Sequence, residues 1–270
     1  MYLTRHETPT GPRWACDGSY LPPELDLSAL LALPRAEMLS RLESLPGGAP
    51  AEGALLAPID PAQEVWAAGV TYLRSREARR AESAVASVYD MIYDAQRPEL
   101  FFKAAGWRVV GPGAPGRVRA DSRWNVPEPE LVVVTNAGME IVGYSAGNDI
   151  SSRDIEGENP LYLPQAKVYN GSCALGPGIH LAAAGELSAL PVRLEVQRAG
   201  GVVFQGETGI TQMKRALPEL VSYLGRELAF PHGALLMTGT GIVPGDDFNL
   251  QPGDVVRVQV GALLLENPIQ

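Results

Sequence analysis

The sequence predicts an α+β protein that is mostly β, a curled and largely antiparallel structure with helices at its periphery. Three observations carry this prediction. Short runs rich in β-branched residues recur through the second half, as in ELVVVT (130–135) and DVVRVQVGALLLE (254–266). Turn-forming residues separate such runs at hairpin spacing. Strands and helices do not alternate regularly, which argues against a doubly wound sheet or a βα barrel.

Residues 1–60 read as a small N-terminal unit and linker. They hold a proline-rich approach, an amphipathic helix over 34–45 (PRAEMLSRLESL) and the Gly/Pro/Ala stretch LPGGAPAEGALLAP. The texture changes from Pro61, where a second domain, 61–270, begins. VWAAGVTY (65–72) is a short strand, and RSREARRAESAVASVYDMIYDA (74–95) is rich in helix formers. GPGAPG (111–116) is a turn. ELVVVT and EIVGYSAGND form a hairpin about Asn136–Gly138, and VRLEVQRAGGVVFQGE forms a second about Ala199–Gly201. MKRALPELVSYLGREL is a helix with Pro218 at a boundary, and ALLMTGTGIVP returns to strand.

Composition narrows the function classes. The chain has 270 residues, 46% of them hydrophobic, enough for a substantial core. With 31 acidic against 22 basic side chains, the net charge of −9 disfavours a phosphate-tracking surface, so no nucleic acid is expected. No apolar stretch approaches a membrane span, and MYLTRHETPT lacks a basic segment leading into an apolar run, so no membrane association is expected either. Cys16 and Cys173 match no paired motif and read as reduced structural thiols, which suits a cytoplasmic protein.

The chemistry concentrates in PEPE (127–130). Glu128 and Glu130 are two apart, so an extended backbone projects both to one face. Pro127 and Pro129 stiffen that backbone and suit an entry into a sheet. The hairpin turn returns the next strand beside them and brings Asp149 within reach. Three converging carboxylates repel one another, and a divalent cation relieves this; hard oxygen ligands favour Mg²⁺, with Mn²⁺ or Ca²⁺ as alternatives, over zinc. The competing reading makes Glu128 and Glu130 solvated edge charges and Asp149 a turn former.

PEPEL, GYSAGNDISSRDIE, the Ala166–Lys167 pair, GPGI (176–179), TGTGIVP and QPGDVV together resemble the fumarylacetoacetate hydrolase superfamily, over roughly residues 61–270. The resemblance implies a metal-dependent β-roll domain with its cation on Glu128, Glu130 and Asp149, a small 2-oxo acid as substrate, a metal-stabilised enolate, and a homodimer or homotetramer. Hydrolytic members carry a His–Glu dyad in a GxNYxxHxxE motif. Aligned on GVTYLRSREA, those two positions are Ser75 and Ala78. The dyad is missing.

The segments GVTYLRSREAR, MIYDAQRPELFFK and NDISSRDIEGENPLYLPQAK look most like the branch that dehydrates 2-keto-3-deoxy sugar acids, with 2,5-dioxopentanoate as product. By that resemblance Glu99 and Lys167 are the catalytic proton-transfer pair. One removes the C3 proton and the other assists loss of the C4 hydroxyl, in either assignment. Arg74, Ser75, Arg153 and Thr240 are the substrate-binding candidates, and a lid is expected within 72–95. The alternative is a hydrolase, isomerase or decarboxylase acting on acylpyruvates or other 2-oxo acids.

Overall fold

A computed structural model of the protein describes residues 1–82 and 91–270, and of residues 79–82 the backbone alone. In chain order the strands are β1 (Tyr2–His6), β2 (Arg13–Cys16), β3 (Ser19–Tyr20), β4 (Glu64–Gly69), β5 (Glu99–Ala105), β6 (Asn125–Val126), β7 (Pro129–Thr135), β8 (Ile141–Asp149), β9 (Ser151–Ser152), β10 (Cys173–Leu181), β11 (Pro191–Arg198), β12 (Gly201–Gly209), β13 (Ala234–Met237), β14 (Val255–Val260) and β15 (Leu263–Pro268). The helices among the described residues include α1 (Leu27–Leu31), α2 (Arg35–Glu43), α3 (Leu73–Glu82), α4 (Arg153–Glu158), α5 (Leu163–Lys167), α6 (Ala184–Leu187) and α7 (Leu217–Leu224).

Nine strands form one sheet in the order β3-β2-β1-β10-β8-β7-β13-β4-β5, and four form a second, β12-β11-β14-β15. The second sheet is antiparallel throughout; the first is antiparallel except for β13 beside β4, a parallel pair that makes it mixed. Why β7 is an unbroken LVVVT run follows from its position. Leu131 and Val133 face a core shared with the four-stranded sheet and α7, whereas Val132 and Val134 face a second core beneath α1 and α2. A strand buried on both faces has no solvent side for polar residues.

The segment expected as a separate N-terminal unit contributes β1–β3 to the large sheet through the β1–β10 pairing. Its Leu3, Leu30 and Met38 pack in the same core as Val65, Val132 and Leu235. The helix expected at 34–45 is α2, and Pro218 stands in the first turn of α7, where a missing N–H costs nothing. The strand expected over 65–72 stops at Gly69. Val70 turns to φ 51°, out of the strand region, and α3 follows within three residues. No helix among the described residues is long and apolar enough to cross a membrane.

The order of the strands brings one set of ends together. β4, β8 and β13 end where β5 and β7 begin, so Gly69, Glu99, Pro129, Asp149 and the loop after Met237 share one edge of the sheet.

Candidate metal centre and active site

Glu128, Glu130 and Asp149 converge at that edge, with ligand-capable oxygens all within 4.8 Å of one another. The hairpin register explains the convergence. Pro129 pairs with Asn148 and Glu130 with Gly147, and the Asp149 N–H donates to the Glu128 carbonyl at 2.9 Å. All three side chains are buried.

Buried carboxylates need partners. Glu128 Oε1 accepts from Ser151 Oγ at 2.8 Å and from Lys167 Nζ at 2.8 Å, and Arg153 Nη2 stands 3.1 Å from it. Asp149 Oδ2 faces Lys167 Nζ at 3.1 Å, and Asp149 Oδ1 faces Lys103 Nζ at 2.5 Å. Glu130 Oε2 accepts the Gly239 N–H at 2.6 Å. Mutual repulsion is therefore offset partly by Lys103, Lys167 and Arg153, a source of relief additional to the cation inferred from the sequence.

Glu130 is the carboxylate those cations serve least. Burial first, then the Asp149 and Glu128 charges, hold its carboxyl well above the usual range, against the smaller effects of Lys167 and the Gly239 N–H. A divalent ion among the three oxygen donors would remove that penalty. The donor set fits a hard cation.

A narrow cavity opens on this cluster, lined also by Glu99, Phe101, Ser75, Glu156 and Thr240. Glu99, at the start of β5, lies over Gly69: a Cβ at residue 69 would collide with its carboxylate, so only glycine leaves Glu99 its place. Lys167 ends α5, with Nζ 2.6 Å from Ser151 Oγ and 5.9 Å from the Phe101 ring centre. Thr240 Oγ1 is tied to Ile242, donating to its carbonyl at 3.2 Å and accepting its N–H at 3.1 Å. Arg153 pairs with Glu128, while its neighbour Asp154 accepts from Ser122 Oγ at 2.6 Å.

Among the proposed substrate contacts, Ser75, Arg153 and Thr240 line the cavity and Arg74 does not. Successive helical residues are turned about 100° apart, so α3 buries Ser75 and Ala78 and leaves Arg74 exposed. The Ser75 hydroxyl is engaged at the start of α3, donating to the Tyr72 carbonyl at 2.7 Å. Of the lid segment expected within 72–95, residues 83–90 lie outside the described residues. Burial pushes the Cys173 thiol up to about 12, in keeping with an inert structural role.

Lys103, Ser151, Glu156 and the Gly239 N–H had not been singled out from the sequence. Ser151 left a signal, because it stands two residues along an extended segment from Asp149; Lys103 left none, because it is the extra residue of a bulge in β5, between the Trp66–Phe102 and Val65–Ala104 pairs. A backbone N–H leaves none.

The model of the fumarylacetoacetate hydrolase C-terminal family matches residues 64–270. A Haloferax volcanii protein described as "Probable 2-keto-3-deoxyxylonate dehydratase" is 49% identical over 204 residues, 75% of this chain and 70% of that one. The 2-dehydro-3-deoxy-D-arabinonate dehydratase of Saccharolobus solfataricus is 44% identical over 211 residues, with the same coverage of each. A solved 2-keto-3-deoxy-D-arabinonate dehydratase complexed with magnesium and 2,5-dioxopentanoate superposes with a TM-score of 0.84 at 33% identity, over 100% of this chain and 99% of the other. A family model that spans most of the sequence, and relatives this similar over three quarters of it, agree with the buried triad in one conclusion: the chain belongs to the fumarylacetoacetate hydrolase family.

Proposed function

We propose that this protein is a divalent-metal-dependent dehydratase that converts a 2-keto-3-deoxypentonate into 2,5-dioxopentanoate and water. One observation carries the reading: a single cavity holds the carboxylate triad together with Glu99 and Lys167, while α3 turns Ser75 and Ala78 inward where hydrolytic members carry His and Glu. The similar dehydratases support the same substrate class. Magnesium is the proposed ion, held by Glu128, Glu130 and Asp149, and when bound it would polarise the 2-keto group and so acidify the C3–H bond.

The chain's own groups handle the protons. One of Glu99 and Lys167 takes a proton from C3, and the other delivers one to the C4 hydroxyl, which leaves as water. Protons then move off C5 and its hydroxyl and onto C3 and C4, giving the terminal aldehyde with atoms balanced. Lys167 is held for this by Ser151 and by its two carboxylate partners, and Glu99 by the space over Gly69. Arg153 and Thr240, with Ser75 beside them, form the wall that would meet the substrate's carboxylate and hydroxyls.

We further place the enzyme in the cytoplasm as a homodimer or homotetramer. Its two free cysteines suit a reducing compartment, and exposed Val202, Val203 and Leu264 on the edge strands of the four-stranded sheet suit assembly.

Proton NMR in D₂O tests the reaction. Wild-type protein with Mg²⁺ and 2-keto-3-deoxy-D-arabinonate is expected to yield the 2,5-dioxopentanoate aldehyde signal, and EDTA to abolish it. Glu99→Gln and Lys167→Met should each lower turnover by at least about 100-fold, within the usual range for an acid–base group. The variant lacking the C3 base also loses exchange of the C3 protons with solvent, whereas the variant lacking the acid retains it. Pyruvate release from acylpyruvates, with no aldehyde from the sugar acid, would replace this reading with that of a C–C hydrolase.

A further inference from the structure

Between β4 and β5 the chain leaves the large sheet at Gly69 and rejoins it at Glu99, and both limbs of that excursion are tied to residues 213–215, which lie between β12 and α7. The outgoing limb is held by backbone. Tyr72 forms an antiparallel bridge with Met213, and the Lys214 N–H donates to the Thr71 carbonyl at 2.9 Å. The returning limb is held by side chains. Lys214 Nζ donates to the Tyr93 carbonyl at 2.7 Å and to Asp94 Oδ1 at 2.5 Å, and stands 4.2 Å from the centre of the Tyr93 ring. Arg215 donates to the Ala95 carbonyl through Nη2 at 2.5 Å and to the Gln96 carbonyl through Nη1 at 3.3 Å. Three carbonyls in residues 93–96 thus accept from two cationic side chains.

We infer that Arg215, with Lys214 beside it, is a positioning residue that fixes where Glu99 stands in the cavity. The inference rests on the proposed role of Glu99 in proton transfer. The link between them is short and stiff. Arg97 and Pro98 alone separate Gln96 from Glu99, and the Pro98 ring locks its own φ and disfavours a helical turn at Arg97, so the limb carries the position of its anchored end into β5. Arg215 is itself buried and is aimed by Glu219, whose Oε1, in the first turn of α7, accepts from Nη1 at 2.8 Å. A planar fork can grip two successive carbonyls while it stays on that carboxylate. Proton transfer is sensitive to such placement, since a shift of about 1 Å caused by a change away from the chemistry can cost about 100-fold.

The other parts of the site stand on other elements. Glu128, Glu130 and Asp149 belong to the β7–β8 hairpin and its approach, Arg153 to α4 and Thr240 to the loop after β13. Loosening the returning limb should therefore lower turnover and leave Mg²⁺ and substrate affinity in place. Because the outgoing limb is tied by backbone, replacing the Lys214 and Arg215 side chains leaves the Tyr72–Met213 bridge and the segment leading to Ser75 intact. A role in stability alone would lower turnover too, but by an amount that does not depend on what occupies position 99.

A double-mutant cycle between Arg215→Met and Glu99→Gln, read by aldehyde formation with saturating Mg²⁺, separates the two roles. Arg215→Met is expected to lower kcat about tenfold, with KM and the calorimetric Mg²⁺ affinity within about twofold of wild type. Where Glu99→Gln is already present, the same change should lower kcat by less than about twofold, since a residue acting through Glu99 has nothing left to position. An equal loss in both backgrounds overturns the inference, as does an unchanged kcat in the single variant or a loss that lies in KM or Mg²⁺ affinity instead. Lys214→Met, at a more exposed position, carries the same expectations through the same cycle where Arg215→Met does not fold. A Glu99→Gln enzyme as active as wild type would instead bring down the catalytic role of Glu99 itself.

Discussion

Glu130 carries the clearest consequence of burial at the scale of one residue. Its carboxyl is held well above the usual range by desolvation and by the neighbouring Asp149 and Glu128, so a proton and a cation compete for it. The sign follows. A carboxyl raised in the folded state favours folding at acid pH, and that contribution fades as pH rises from the unfolded value toward the folded one, until a cation replaces the proton. Mg²⁺ affinity is therefore expected to weaken on acidification from neutral pH, by at most about tenfold per pH unit for one displaced proton. Titrations between pH 8 and 5 check this; a flat profile in wild type, matching that of Glu130→Gln, would remove Glu130 as the competing group. The ligand set itself was legible from spacing, because Glu128 and Glu130 share a strand face by periodicity alone. What surrounds Glu130 was not, since the nearest donor is a backbone N–H 109 residues away in sequence.

At the scale of elements, the loop after β13 shows why TGTG is more than a strand end. Gly239 has φ 90°, and a Cβ there would collide with Thr71 Oγ1, whose hydroxyl donates to the Thr238 carbonyl at 2.7 Å. Thr238 Oγ1 donates to the Leu131 carbonyl at 2.9 Å, which fastens the loop to β7 and aims the Gly239 N–H at Glu130. Gly239→Ala is expected to cost about 1–3 kcal/mol from backbone strain and to weaken Mg²⁺ binding as the N–H is displaced. Thermal melts and calorimetry measure the two effects separately, and unaltered Mg²⁺ affinity would show that the loop does not orient Glu130. Sequence patterning located this element and the β7–β8 hairpin well, because turns and period-two alternation are local. It carried the β4 strand past Gly69, because VWAAGVTY is apolar but for Thr71, whereas the chain turns at Val70, three residues before α3 starts.

At the scale of the molecule, the first 60 residues are expected to be inseparable from the rest. β1 covers the edge of β10, and α1 and α2 close the core formed by Val132, Val134, Leu175 and Leu235. Deleting residues 1–60 would expose a strand edge and an apolar face together, so the remaining 61–270 should aggregate or lose cooperative melting. A soluble 61–270 fragment that melts cooperatively and binds Mg²⁺ would show the contrary. The sequence by itself determined the mostly-β class, the hairpin that carries the ligands and the three carboxylates, all of which depend on local spacing and residue chemistry; the missing His–Glu dyad came from the family resemblance. Only the tertiary structure decided that β1 joins the large sheet and that Arg74 faces solvent beside buried Ser75. It alone seated a bulged lysine from β5 and a glycine N–H from the loop after β13 on carboxylates of β7 and β8. Such contacts arise from strand order and from which sheet faces are buried, and strand order is set by packing between segments far apart in the chain.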